Sequence, residues 1–229
     1  ALPILASLKL VDVDFMALNI SRNREHLEKV FREILSMECE EDGVNFDTDS
    51  LKSEAITIDK AYPGTRFYFT ARMGTIVYQM SVDIGFGDVV TPKPALVDFP
   101  LLLDDIPAIH ITAYSLETVV AEKFHTMIVR DVSNSRMKDF FDCYQILTTK
   151  EMEESLLYDA ICATFDNRGL EYDANLQLFT ADFAADHDRQ LRWNAFLKKI
   201  QWKEPIDFPD VMKLISERLR PMYERYWRK

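Results

Sequence analysis

Hydrophobic and polar residues alternate over 8–15 (LKLVDVDF). A period of two predicts a strand and puts Asp12 and Asp14 on one face of it. The period then lengthens: Leu27, Val30, Phe31, Ile34 and Leu35 recur at helical spacing, with Asn19 or Ser21 placed to cap the start. The acidic, turn-rich stretch 38–49 reads as a loop. Strand patterns return at 55–58, 66–72 and 75–84, the last two separated by Met73-Gly74. In the last of these, Ile76, Tyr78, Met80, Val82 and Ile84 form one face and Thr75, Val77, Gln79, Ser81 and Asp83 the other. Asp83 thus stands on the more polar face, near the end of a long strand. Gly85-Phe86-Gly87-Asp88 ends that strand, and a connection carrying Pro92, Pro94, Pro100 and Pro107 leads onward.

From Ser115 the period is helical, predicting helices at 115–130, 136–148, 151–165, 187–200 and 209–227. Ser115 and Ser135 suit caps, Pro209 suits a first turn, and Pro221 should kink the last helix. Strands early and helices late predict an α+β protein, with a mixed α/β lobe over 1–110 and a helical lobe over 111–229.

Composition narrows the classes. The 229 residues are 48% hydrophobic and 28% charged, enough to bury a core and unlike a disordered chain. No apolar run is long enough to span a membrane, and no cleavable signal is visible. Cys39, Cys143 and Cys162 are odd in number, widely spaced and in no C-x-x-C pair, which predicts reduced thiols in a cytoplasmic protein and no zinc site. The net charge of −11 is unevenly placed: residues 189–229 hold 11 Lys/Arg and 5 Asp/Glu (+6), and residues 1–188 hold 16 and 33 (−17). The basic end can meet an acidic partner or an RNA backbone, or be a solvated helix face.

Three groups of residues bear on chemistry. Asp12, Asp14 and Asp83 would repel one another at close range unless a cation joined them, and carboxylate oxygens suit Mg²⁺ shared with substrate phosphates. From spacing alone, a lone D-x-D on an exposed strand is the commoner case. Lys123 falls on the core-facing stripe of its helix with Leu116, Val120 and Met127, so it must snorkel to solvent or meet an anion. Glu122 and His125 beside it are expected to face solvent or cap neighbours. In Arg136-Met137-Lys138-Asp139-Phe140-Phe141-Asp142, Asp139 is three residues from both Arg136 and Asp142, which allows a local ion pair or a helix-dipole partner.

The segments SVDIGFGD, YSLETVVAEKFHTMIVR and SRMKDFFDCYQIL, in this order and spacing, resemble the AbiEii-type nucleotidyltransferases, toxins of bacterial toxin–antitoxin and abortive-infection systems. The resemblance covers 11–148 and continues more loosely through RQLRWNAFLKKI. It implies a polymerase-β-like core that binds Mg²⁺ and transfers a nucleoside monophosphate from a nucleoside triphosphate. By its motifs, Asp12, Asp14 and Asp83 correspond to metal ligands. Lys123 corresponds to the triphosphate contact of A-E-K, and Arg136, Lys138 and Asp139 to the R-x-K-D motif, with Asp139 orienting or deprotonating the acceptor hydroxyl. It further implies an RNA acceptor such as tRNA and a protein antitoxin.

Two features depart from the pattern. No Gly-Gly or Gly-Ser turn precedes Asp12, the first glycine being Gly43, and the expectation is that this turn lies upstream of Ala1. Leu8 and Leu10 stand where basic and hydroxyl residues are usual. A second reading is therefore a catalytically degenerate member that works by binding a protein partner. A third, a metal-dependent phosphoesterase, is disfavoured because His26, His110, His125 and His187 are scattered.

Overall fold

The structure, a computed structural model, describes residues 13–17, 20–37, 43–59, 62–99 and 108–228. The chain divides into two compact units, the first Leu10–Asp88 and the second taking in Val89–Lys229. As expected, the architecture is α+β.

The first unit is a four-stranded mixed sheet with one helix. Its elements are β1 (Val13–Ala17), α1 (Arg24–Leu35), β2 (Val44–Asp59), β3 (Tyr62–Met73) and β4 (Ile76–Phe86), with strand order β1-β4-β3-β2. β1 runs parallel to β4, and the other pairs are antiparallel. The alternation in β4 works as the sequence suggests: Val82, Ile84 and Phe86 are buried while Ser81, Asp83 and Gly85 are half-buried. Behind the sheet, α1 contributes Leu27 and Leu35 to a core with Phe67 and Phe69, and Phe31 stacks on Phe67 at 4.2 Å between centroids. Burying each such ring contributes about 2–3 kcal/mol.

Several local expectations are corrected. The helix cap is Asn23, whose Oδ1 accepts the His26 N–H at 3.0 Å; Ser21 instead accepts the N–H of Asn23, and Asn19 lies outside the described residues. Ile34 is exposed, because the helix turns only a narrow stripe inward. The stretch 44–49 is strand, not loop. Its turn-forming acid acts inside the sheet: Asp47 accepts the N–H groups of Asp49 and Ser50, and the register with β3 shifts between Asp47 and Lys52, a β-bulge. Gly85 lies within β4 rather than ending it, and Gly74 turns the β3–β4 hairpin with φ +58°.

The second unit opens with an antiparallel hairpin, β5 (Ala95–Phe99) and β6 (Ile109–Ala113), in the proline-bearing stretch where periodicity gave no strand signal. Helices follow: α2 (Leu116–Arg130), α3 (Met137–Thr149), α4 (Glu154–Arg168), the short α5 (Ala181–Ala185), α6 (His187–Lys199) and α7 (Phe208–Trp227). Ser115 caps α2 by accepting the Thr118 N–H at 3.2 Å. The start of α3 differs from expectation: Ser135 makes no cap there, and the buried Asn134 accepts the Arg136 N–H at 2.9 Å. Pro209 falls in the first turn of α7, and that helix continues through Pro221. The core is strongly aromatic, with Phe124, Phe140, Phe141, Phe165 and Trp193 fully buried. Cys143 and Cys162 form no disulfide, and burial pushes the Cys143 thiol pKa well above its ordinary value. Among the described residues no helix is long and apolar enough to cross a membrane.

Candidate active site

Asp83 sits on the polar face of β4 because the alternation that buries Val82 and Ile84 forces it outward. Its Cα partner across the parallel pair is Asp14 of β1, and across the antiparallel pair it is Arg66 of β3, which in turn registers with Glu54 of β2. One row of the sheet therefore reads Asp14, Asp83, Arg66, Glu54. Arg66 grips Asp83 bidentately, Nε to Oδ1 and Nη2 to Oδ2, both at 2.6 Å. This hydrogen bonding, with help from Tyr68, holds the guanidinium pKa above its ordinary value. Tyr68 donates to Glu54 at 2.5 Å. Asp12 lies outside the described residues, and among those described no three acidic, histidine or cysteine side chains gather into a metal cluster.

In the helical unit, Lys123 does not snorkel to solvent. Its Nζ meets Asp139 Oδ1 at 3.1 Å and Asp142 Oδ2 at 2.7 Å, with only 17% of the side chain exposed. Arg136 Nε donates to Asp139 Oδ2 at 2.5 Å, and Lys138 Nζ donates to Asp142 Oδ2 at 2.6 Å. Three cations thus share two buried acids, and the outer two, Arg136 and Lys138, keep more than half of their side chains in solvent. Burial works to lower the Lys123 pKa, but Asp142 and Asp139 outweigh it and hold the ammonium above its ordinary value. Burial likewise works to raise Asp139, and Lys123 and Arg136 outweigh it, so the carboxyl stays below the usual range. Asp142 is the member of this cluster to which the sequence assigns no site role beyond its spacing from Asp139. Its signal was present, one helical turn after Asp139 on the same face.

The neighbours of Lys123 behave differently from expectation. Glu122 pairs with Arg168 across α2 and α4, and His125 is buried beside Phe165. Both sit inward because α4 packs along the side of α2 that would otherwise face water.

The sequence matches the family model described as nucleotidyl transferase AbiEii toxin, Type IV TA system, over residues 11–215. The chain belongs to this family. It is therefore a member of a nucleotidyl transferase family that forms the toxin side of a type IV toxin–antitoxin system. No curated protein matches. Among solved structures, the chain is similar to one entitled crystal structure of JHP933 from Helicobacter pylori, at 9% identity and TM-score 0.45, covering 99% of this chain and 83% of that one. A second, of sifa and skip, has 13% identity and TM-score 0.16, covering 91% and 87%.

Proposed function

We propose that the chain transfers a nucleoside monophosphate from a nucleoside triphosphate to an acceptor hydroxyl and releases pyrophosphate, with Mg²⁺ as cofactor. In this reading residues 1–110 form the transferase core and 111–229 the helical lobe. The observation that carries it is the register pairing of Asp14 with Asp83, which places two carboxylate-bearing residues on adjacent strands at the same level.

The residues present fit the ion: strands at about 4.8 Å spacing bring adjacent acids within the span of one oxygen-ligated cation. Asp12, Asp14 and Asp83 would hold it, and it would neutralise charge on the transferring phosphoryl group and the departing pyrophosphate. Arg66 orients the Asp83 carboxylate and compensates its charge. Lys123 binds the triphosphate as a point charge, and the solvent-facing Arg136 and Lys138 add donors to phosphate oxygens. Asp139 stays ionised because two cations hold its proton affinity down, so its role is to accept a hydrogen bond from the acceptor hydroxyl and align it for in-line attack. The basic stretch 189–229 supports RNA, tRNA for instance, as acceptor, and a cytoplasmic site of action follows from those substrates.

Incubating the protein with labelled nucleoside triphosphates, Mg²⁺ and total RNA tests this. Label should enter RNA with the wild type and fall at least a hundredfold with Asp83→Ala, and equal labelling by both would refute it.

The grip of Arg66 on both oxygens of Asp83 favours one second reading, a degenerate member acting through a protein partner such as the antitoxin. Thermal denaturation with and without Mg²⁺ and nucleoside triphosphate separates the two. A transferase is stabilised by the pair, whereas a binding-only protein is not.

A further inference from the structure

The helical unit holds a cavity of 680 Å³ that the transfer chemistry leaves unused. Its aromatic wall is built from the segment after α4 and from the C-terminal half of α7. Tyr172 meets Trp227 at 5.4 Å between centroids, Trp227 meets Tyr223 at 6.3 Å, and Tyr223 meets Phe179 at 6.1 Å. Trp227 packs edge-to-face with Tyr172 and with the buried Tyr223, and Tyr172 keeps 61% of its surface exposed. At the rim, Arg220 and Arg228 both pair with the carboxylate of Glu224, at 2.8 and 3.1 Å, and keep more than half of each side chain exposed; with Asp173 the lining holds two cations and two acids.

We infer that this cavity takes an unpaired nucleobase of single-stranded RNA, stacked on the exposed Tyr172 beside Trp227, with its phosphate at Arg220 and Arg228. Exposed rings offer a π-face to any base, and guanidinium groups at the rim supply donors for phosphate oxygens. The charge distribution points the same way, since the stretch containing α7 carries +6 in a chain of −11 and so attracts a polyanion to this part of the sequence. A base held in a duplex must first be unpaired and unstacked to enter, so the site favours single strands. Much of the wall, from Arg220 to Arg228, lies beyond the residues matched by the family model. The inference deepens the proposed function, because it rests on RNA being the acceptor.

The test uses the full chain without nucleotide, a fluorescein-labelled unstructured oligoribonucleotide of about 12 residues, the same strand annealed to its complement, and anisotropy at fixed salt. The single strand should bind at least tenfold more tightly than the duplex. Tyr172→Ala should weaken it about tenfold, as expected for loss of one stacked base, and its exposure means the fold survives the change. Trp227→Ala should act likewise, with Trp227→Phe retaining most of the affinity. No binding, equal binding of duplex, or an unchanged affinity in Tyr172→Ala would overturn the inference. A wild type that binds the strand but transfers no label refutes the transferase reading alone, and a wild type that transfers label without binding the strand refutes only this cavity's role.

Discussion

A lysine as enclosed as Lys123 keeps its charge because Asp139 and Asp142 meet it, and each acid in turn needs it. Removing one member of a buried pair leaves an uncompensated charge, so Lys123→Met should destabilise the helical unit by about 3 kcal/mol, the lower end of the range because Arg136 and Lys138 remain. Trp193, Trp202 and Trp227 all lie in this unit, so urea unfolding followed by tryptophan fluorescence measures it selectively. The pH dependence has a definite sign. Asp139 has its pKa depressed in the fold, so its contribution is present above the unfolded value, about 4, and is lost as pH falls through the folded one. Lys123 has its pKa raised, so its contribution is present below about 10.4 and is lost as pH rises through the folded value. The urea midpoint should therefore fall at both extremes, and Asp139→Asn should remove most of the acid-side loss.

At the level of elements, periodicity located β4 and the long helices because one face of each is buried against the same unit's core. The alternation through Val82, Asp83 and Ile84 even fixed which face the acid takes. The hairpin of β5 and β6 escaped because exposed residues such as Leu96 and Ile109 leave no alternation to read. The bulge at Asp47 was mistaken for a loop because a turn-forming acid has the same composition inside a strand as outside one. In the cation cluster, Lys123 stands out in the sequence as a charge on an apolar stripe, while Asp142 is legible there only as the i+3 neighbour of Asp139, and its burial against Lys123 shows only in the packing. The grip of Arg66 on Asp83 spans 17 positions and two strands, so only register could reveal it. Helix ends follow local rules more closely. Gly169 closes α4 in the left-handed region with φ +58° and open space around it. Gly169→Ala should cost about 1 kcal/mol, from backbone conformation alone, in the same fluorescence-detected unfolding.

For the whole molecule, the separation of charge matters more than its total. A chain of −11 is repelled by RNA at long range, and for the proposed RNA acceptor the +6 of residues 189–229 would allow approach. RNA affinity should therefore fall steeply with salt, and Arg228→Gln should lower the slope of log affinity against log salt by about one, measurable by anisotropy over a salt series. Nucleotidyl transfer breaks the bond between the α-phosphorus and pyrophosphate, so the label's position in the triphosphate reports the chemistry directly. With the same RNA and Mg²⁺, label at the α-phosphorus should appear in RNA and label at the γ-phosphorus should leave with pyrophosphate. Label at the γ-position entering RNA, or neither label entering it, would contradict nucleotidyl transfer by this chain.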